Sequence, residues 1–345
     1  MKILAIALLF GLGLSPAFDA ESDAFDAAKA LKKSGKVAEA GAAFEAFAKA
    51  FPDSPRVGEA LVEAGVGWFG VARDRQVLHR ATPESDEAFG KARDFFAQVA
   101  ADRPSDPSAG RAQYMLGSTD LFLGDLPSAE KDYSLVLEKF ASDPKYVPKS
   151  LERRAAVRRH LLQDDLALAD LHKYLADYPK GEEAESVARY VQFAGLNGKQ
   201  APAIDPAAWI QGGPHTLESL HGHVVGLYFF ATWCEKCAKE MPFVRELARR
   251  TEPSGMVFIG VLDRSKGQTV ESVGAFMKEN DLPFAAFMDK ARTKPAYLGT
   301  TIPDLVLIDK AGRVRWHDHP ANLAEYTLET LIGEDDGKAE AAVPK

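Results

Sequence analysis

Cysteine is nearly absent: the chain has two in 345 residues, Cys234 and Cys237. A single pair cannot build a framework of cross-links, so a hydrophobic core must hold the fold and any sulfur chemistry is confined to one place. Positive charge is also in deficit, with 42 Lys and Arg against 50 Asp and Glu and a net charge of −8. That excludes the basic face of a nucleic-acid binder, and no polybasic segment is available for an anionic membrane surface. Beyond the N-terminus no segment reaches the about 18 consecutive apolar residues that cross a bilayer. What remains, 46% hydrophobic and 27% charged residues, is an ordinary globular composition, and the length suits two domains of roughly 100–200 residues each.

The chain starts with a short positive segment, Met1-Lys2, an apolar stretch from Ile3 to Leu14, and the small-residue sequence Ser15-Pro16-Ala17. This pattern predicts a secretory signal peptide over residues 1–17, and so an exported, periplasmic protein that is soluble after cleavage. The alternative is an uncleaved segment acting as an anchor. No cysteine stands near the cut to carry a lipid.

From Glu21 to about Gln200 the apolar positions follow the helical period. One pattern recurs: Ala, a large apolar residue at +4, another at +7, and Pro at +12. It reads Ala40, Phe44, Phe47, Pro52; then Ala92, Phe96, Val99, Pro104; and Ala167, Leu171, Tyr174, Pro179. Ala129, Tyr133 and Val136 repeat the core positions with the proline displaced to Pro144. The small Ala lets two helices approach, the +4 and +7 residues share its face, and the proline stops the helix. Gly35 and Gly124 stand five residues before Ala40 and Ala129, where the helices of a pair are joined, and Leu162 holds the equivalent place. The extra length between the first two copies points to an insertion within Arg73–Ser85.

On these residues, positions 18–199 resemble a tetratricopeptide (TPR) array, whose period is about 34 residues. The resemblance implies stacked helix pairs that present a surface to a partner protein. Arg153, Arg154, Arg158, Arg159 and His160 read either as a site for an acidic partner or as an ordinary solvated helix face.

Past Ala201 strands and helices alternate. Val224–Phe230 is a continuous apolar run, as in a strand buried on both faces, and Ala231-Thr232-Trp233-Cys234-Glu235-Lys236-Cys237 follows it directly. A helix to about Arg250, a strand Met256–Leu262, a helix near Val270–Asn280 and a short segment Phe284–Met288 come next. Asp304–Asp309, a turn at Lys310–Arg313, Val314–Trp316 and a helix from about Leu323 to Ile332 complete the pattern, and residues 335–345 read as a disordered tail. Cys234 falls where a strand ends and a helix begins, so free backbone N–H groups and the helix dipole favour its thiolate, the nucleophilic form. Cys237 lies one turn on, able to resolve a mixed disulfide by attacking Cys234. A purely structural disulfide would close too short a loop to stabilise much. A zinc site would need four ligands and finds no second Cys pair, so no metal is expected. The paired cysteines also argue against a single-Cys peroxidase.

Gly222-His223-Val224-Val225, Trp233 through Cys237, Glu240-Met241-Pro242, and the later Tyr297 through Ile302-Pro303 followed by Leu305 to Asp309 resemble the TlpA/ResA-type thioredoxin-like thiol–disulfide oxidoreductases. The resemblance covers residues 200–334. It implies a thioredoxin fold with Cys234 and Cys237 as redox pair and Pro303 as the cis-proline facing them. Trp233 and Ile302 would flank the substrate groove, and Pro242 would kink the active-site helix. Glu240 would carry protons at Cys237, since Tyr228 stands where thioredoxin has a buried Asp. Asp304, following the proline, would add a negative charge beside the groove. Trp316-His317-Asp318-His319 contains two histidines that read as surface residues rather than metal ligands.

The expected molecule therefore has two domains, an all-α TPR-like array and an α/β thioredoxin-like fold. It exchanges disulfides on protein substrates, uses no cofactor, and takes electrons from a membrane or soluble thiol donor elsewhere. The family's frequent tie to cytochrome c maturation comes with the resemblance. The alternative is a TPR interaction or scaffold protein whose thioredoxin-like half only docks.

Overall fold

A computed structural model describes residues 16–76, 82–297 and 301–334. The expected signal peptide lies outside the described residues except for Pro16 and Ala17, and so does the expected tail after Glu334. Among the described residues the first part of the chain is helical throughout: α1 (Pro16–Lys33), α2 (Val37–Ala50), α3 (Val57–Asp74), α4 (Pro83–Asp102), α5 (Ala109–Phe122), α6 (Leu126–Lys139), α7 (Tyr146–His160), α8 (Asp164–Asp177) and α9 (Ala184–Ala194).

The repeated pattern marks the buried stripes of α2, α4, α6 and α8. All twelve Ala, +4 and +7 residues are buried, none above 3% exposed. Phe51, Arg103 and Tyr178 each precede a proline and leave the helical region at φ near −130° (−130°, −131°, −130°). The steric demand of the following ring forbids another helical turn. Gly35 and Gly124 turn the chain between helices at φ +78° and +79°, a conformation open to glycine. Leu162 takes the same left-handed turn at φ +57°, held there by packing against the apolar core of the later half. The insertion is bounded by the end of α3 and by Thr82, which caps α4 in a reciprocal capping box with Ser85.

The described chain forms two compact units, one comprising residues up to Arg75 with Thr82–Thr119, the other Gln76 and the chain from Asp120 onward. The composition change near Ala201 marks a change of fold class, whereas the boundary between units falls inside α5. In the first unit α2 and α3 cross so closely that a Cβ on Gly67 would stand 2.5 Å from the Gly41 Cα. Phe25 packs edge-on against Phe44 and Phe47, with ring centroids 5.4 and 5.0 Å apart.

The second unit joins α6–α9 to a six-stranded sheet. Its strands are β1 (Pro206–Gln211), β2 (Val225–Phe229), β3 (Val257–Leu262), β4 (Ala285–Asp289), β5 (Asp304–Ile308) and β6 (Val314–Asp318), in the order β1-β4-β3-β2-β5-β6. β2, β3 and β4 are parallel, while β5, β6 and β1 run antiparallel to their neighbours. Helices α10 (Glu235–Thr251), α11 (Val270–Glu279), α12 (Thr293–Ala296) and α13 (Glu325–Gly333) complete the fold. β2 and β5 are buried at every residue. One side meets Met241, Val244 and Leu247 of α10, and the other meets Leu217, Leu220 and Tyr297. β1 was not legible in advance: it begins at a proline, lacks alternation, and pairs with β4 through register shifts.

Within the basic run on α7 only Arg153 is exposed to solvent; the other four residues are tied into the protein. Arg154 donates to both Asp170 oxygens (2.6 and 2.9 Å), Arg158 to Asp170 and Glu130 (2.9 and 2.8 Å), and Arg153 pairs with Glu152 at 3.2 Å. Arg159 turns to the sheet: it donates to the His317 carbonyl, pairs with Asp318 at 3.3 Å and lies 4.2 Å over the Tyr190 ring of α9. His160 is buried against α13 and β6, with Nδ1 3.1 Å from the Thr327 hydroxyl and its ring stacked on Trp316. Phe193 of α9 meets the His317 ring edge-on at 3.7 Å.

Candidate active site

Cys234 is the N-cap of α10. Its Sγ accepts the Cys237 N–H at 3.1 Å, so one of the free donors of the helix's first turn points at the sulfur that would carry the thiolate charge. Cys234 and Cys237 are joined as a disulfide, with Cα atoms 5.2 Å apart. Cys234 is 7% exposed and Cys237 0%, so an incoming group can reach the first sulfur and is shielded from the second. The Ile302 carbonyl oxygen lies 3.9 Å from Cys234 Sγ, and the Ile302–Pro303 bond is cis. Trp233, 41% exposed, stands beside the pair. Cys234, Cys237, Trp233, Ile302 and Pro303 thus converge, though they come from two stretches of chain more than 60 residues apart.

The run-in to Cys234 is tied to the loop between β3 and α11. Gln268 Oε1 accepts both the Thr232 N–H at 2.7 Å and the Thr232 hydroxyl at 2.9 Å, while Gln268 Nε2 donates to the Asp263 carbonyl at 2.9 Å. The Trp233 indole N–H donates to Ser265 Oγ at 3.2 Å, and the Lys266 ammonium lies 4.0 Å over the indole. Lys266 reaches that position from a left-handed backbone, φ +50°. These three loop residues were not legible in sequence. They sit in a polar stretch that carries turn and helix-start signals only, and nothing in the pattern says which loop faces Trp233.

Glu240 lies partly buried on α10, three residues past Cys237. Tyr228 of β2 is buried beneath, stacked on Phe230 at 5.0 Å. Burial, and then the negative charge of Glu240, push the Tyr228 phenol far above its ordinary range. Its hydroxyl has no hydrogen-bond partner among the described residues. Pro242 sits inside α10.

Two expectations are corrected. Asp304 adds no charge to the groove: it is buried, with Oδ2 2.6 Å from His317 Nε2, because the first residue of β5 already points into the sheet's packing. His317 is accordingly an interior residue, 5% exposed, since α9 covers β6. His319 serves as a cap instead, its Nδ1 accepting the Ala321 N–H at 3.2 Å.

Residues 197–317 match the model of the AhpC/TSA family. Thiol-disulfide oxidoreductase ResA of Bacillus cereus is 34% identical over 118 residues, 34% of this chain and 66% of that protein. The thioredoxin-like protein YneN of Bacillus subtilis is 28% identical over 138 residues, covering 40% of this chain and 79% of the other. A solved thiol-disulfide isomerase from Corynebacterium glutamicum is 23% identical, with 39% of this chain and 98% of that one covered and a TM-score of 0.36. The chain thus spans just under two thirds of the ResA length, and its helical residues before 197 lie outside the family match. The C-terminal half is a thioredoxin-like domain of the AhpC/TSA type, with ResA among its homologues.

Proposed function

We propose that the chain is an exported thiol–disulfide oxidoreductase that exchanges disulfides on protein substrates through Cys234 and Cys237. The observation that carries this reading is the placement of the Cys234 sulfur at the start of α10, on the Cys237 N–H and beside the carbonyl that precedes Pro303. In the reduced protein the Cys234 thiolate attacks one sulfur of a substrate disulfide. The second substrate sulfur leaves as a thiolate and takes a proton. Cys237 then loses its proton and attacks Cys234 Sγ, which releases the first substrate sulfur and closes the Cys234–Cys237 bond. Two electrons and two protons pass to the substrate. Glu240 is the group suited to take the Cys237 proton, since it follows one turn later on the same helix. The substrate strand would lie along the Ile302 carbonyl, with Trp233 as the opposite rim.

Re-reduction then requires a thiol donor from another protein, membrane-bound or soluble, because the chain has no third cysteine. An oxidising, periplasmic compartment is the setting in which such a reductant is needed, and the ResA likeness makes cytochrome c maturation one context for it. The TPR-like pairs, whose repeated stripe is buried as stacking requires, are the part proposed to receive a partner protein. The test is reduction of a protein disulfide by the wild type and by Cys234→Ser, with Cys237→Ser as trap. Activity should vanish in the first variant, and a mixed disulfide should accumulate in the second. Equal activity in wild type and Cys234→Ser would leave the scaffold reading in its place.

A further inference from the structure

Gln268 lies in the loop after β3, 36 residues from the segment it binds. Its amide is buried, 6% exposed, and both ends are used. The Thr232 N–H must donate, so the atom facing it is the amide oxygen. The Asp263 carbonyl must accept, so the atom facing it is the amide nitrogen. The side chain therefore bridges the end of a central strand to the residue two before Cys234, in one orientation. Ser265 and Lys266 of the same loop hold the next residue, Trp233, by its N–H and by its ring face. The left-handed backbone at Lys266 is a cost that a loop bears when its position matters.

We propose that Gln268 is a positioning residue of the redox site: it fixes the Thr232-Trp233 segment, and through it the place where the Cys234 sulfur and the Trp233 indole meet a substrate strand. The inference deepens the oxidoreductase reading and rests on it for its chemical purpose, while its geometry is tested separately. A leucine at position 268 has nearly the same volume but no acceptor. It leaves the Thr232 N–H and hydroxyl facing carbon, so the segment must loosen for them to reach water. The Cys234 sulfur then loses its fixed distance to the Cys237 N–H, and its thiolate is less favoured.

The experiment compares full-length wild type, Gln268→Leu and Gln268→Glu. Amide hydrogen exchange is followed at Thr232 and, as a control for global unfolding, in β2. The thiolate absorbance of Cys234 is titrated in the reduced proteins, and each protein is assayed on insulin disulfides. In Gln268→Leu, Thr232 exchange should rise about tenfold or more with β2 still protected. The Cys234 thiol should titrate at higher pH and the insulin rate should fall by a similar factor. Gln268→Glu keeps an oxygen toward Thr232 but sets its second oxygen against the Asp263 carbonyl, and should protect the Thr232 amide better than Gln268→Leu and less well than the wild type. Should Gln268→Leu not fold, Thr232→Val, which removes the hydroxyl donor alone, takes its place with a severalfold effect expected. Unchanged Thr232 exchange and an unchanged thiol titration in the folded variant overturn the proposal. Absence of Cys234-dependent activity in the wild type would instead overturn the oxidoreductase reading, with the exchange and titration results still deciding the positioning role.

Discussion

Acid should weaken the second unit through one residue, His160. Burial, and then the neighbouring Arg159 charge, lower its pKa from 6.5 to about 4, with Asp318 opposing. The Thr327 hydroxyl donates to the His160 carbonyl at 3.0 Å, so its oxygen is left to accept from Nδ1–H of the neutral ring. The folded state therefore holds a neutral imidazole where the unfolded chain would take up a proton below 6.5. Stability from this residue is fully present above about pH 6.5 and is lost as pH falls toward 4. At about 1.4 kcal/mol per pH unit, the full gap is worth about 3 kcal/mol. The assay is urea unfolding from pH 7.5 to 4.5 on wild type and His160→Phe, followed by the fluorescence of the tryptophans. Phenylalanine keeps the stacking on Trp316 and loses the Thr327 contact, so at pH 7.5 it should cost about 1 kcal/mol. By pH 4.5 the two stability curves should have crossed, because only the wild type has at position 160 an imidazole that takes up a proton on unfolding. Parallel stability curves over the whole range would refute the assignment of the acid sensitivity to His160.

Other outcomes follow from the packing. Gly67→Ala places a methyl against the Gly41 backbone. Overpacking should outweigh the helix-propensity gain and lower the first unit's stability by about 1–2 kcal/mol, read by thermal unfolding. Asp170→Asn removes the carboxylate shared by Arg154 and Arg158 and should cost about 3 kcal/mol in the second unit, again by urea unfolding. Lys266→Met removes the cation from the Trp233 ring and should shift the indole fluorescence, with a stability change of under about 1 kcal/mol. Residues 200–345 alone should unfold at lower temperature than residues 120–345, because His160, Arg159 and Phe193 no longer cover β6 and α13.

The parts of the fold that could be read in advance are those set by local chemistry. The Ala, +4, +7 stripe fixes which side of α2, α4, α6 and α8 is buried, since helical geometry leaves no choice. The apolar run before Trp233 fixes β2, and two cysteines one turn apart at a strand–helix junction fix the disulfide. What could not be read depends on distant partners. Asp304 looked like a groove charge because its only sequence neighbours are Pro303 and a hydrophobic strand; its partner His317 is 13 residues on, across a hairpin. The α7 arginines looked like a solvated or binding face because Asp170, Glu130 and Asp318 come from other elements. Gln268 and Thr232 are 36 residues apart, and no periodicity links them.

The outer strand β6 shows what the helices do for the sheet besides packing. The stretch after α9 runs alongside it: Gly198 N–H donates to the Val314 carbonyl at 2.8 Å, Val314 N–H to Lys199 at 3.0 Å, and Ala201 N–H to Gly312 at 2.8 Å. Those main-chain groups are the ones a foreign strand would need in order to add itself to the sheet. With the upper part of that edge occupied by the chain's own backbone, and Arg159, Tyr190 and Phe193 lying over the rest, a second copy finds no template there. The residues of α7 and α9 and the stretch after α9 thus close the β6 edge of the sheet to the addition of a further strand.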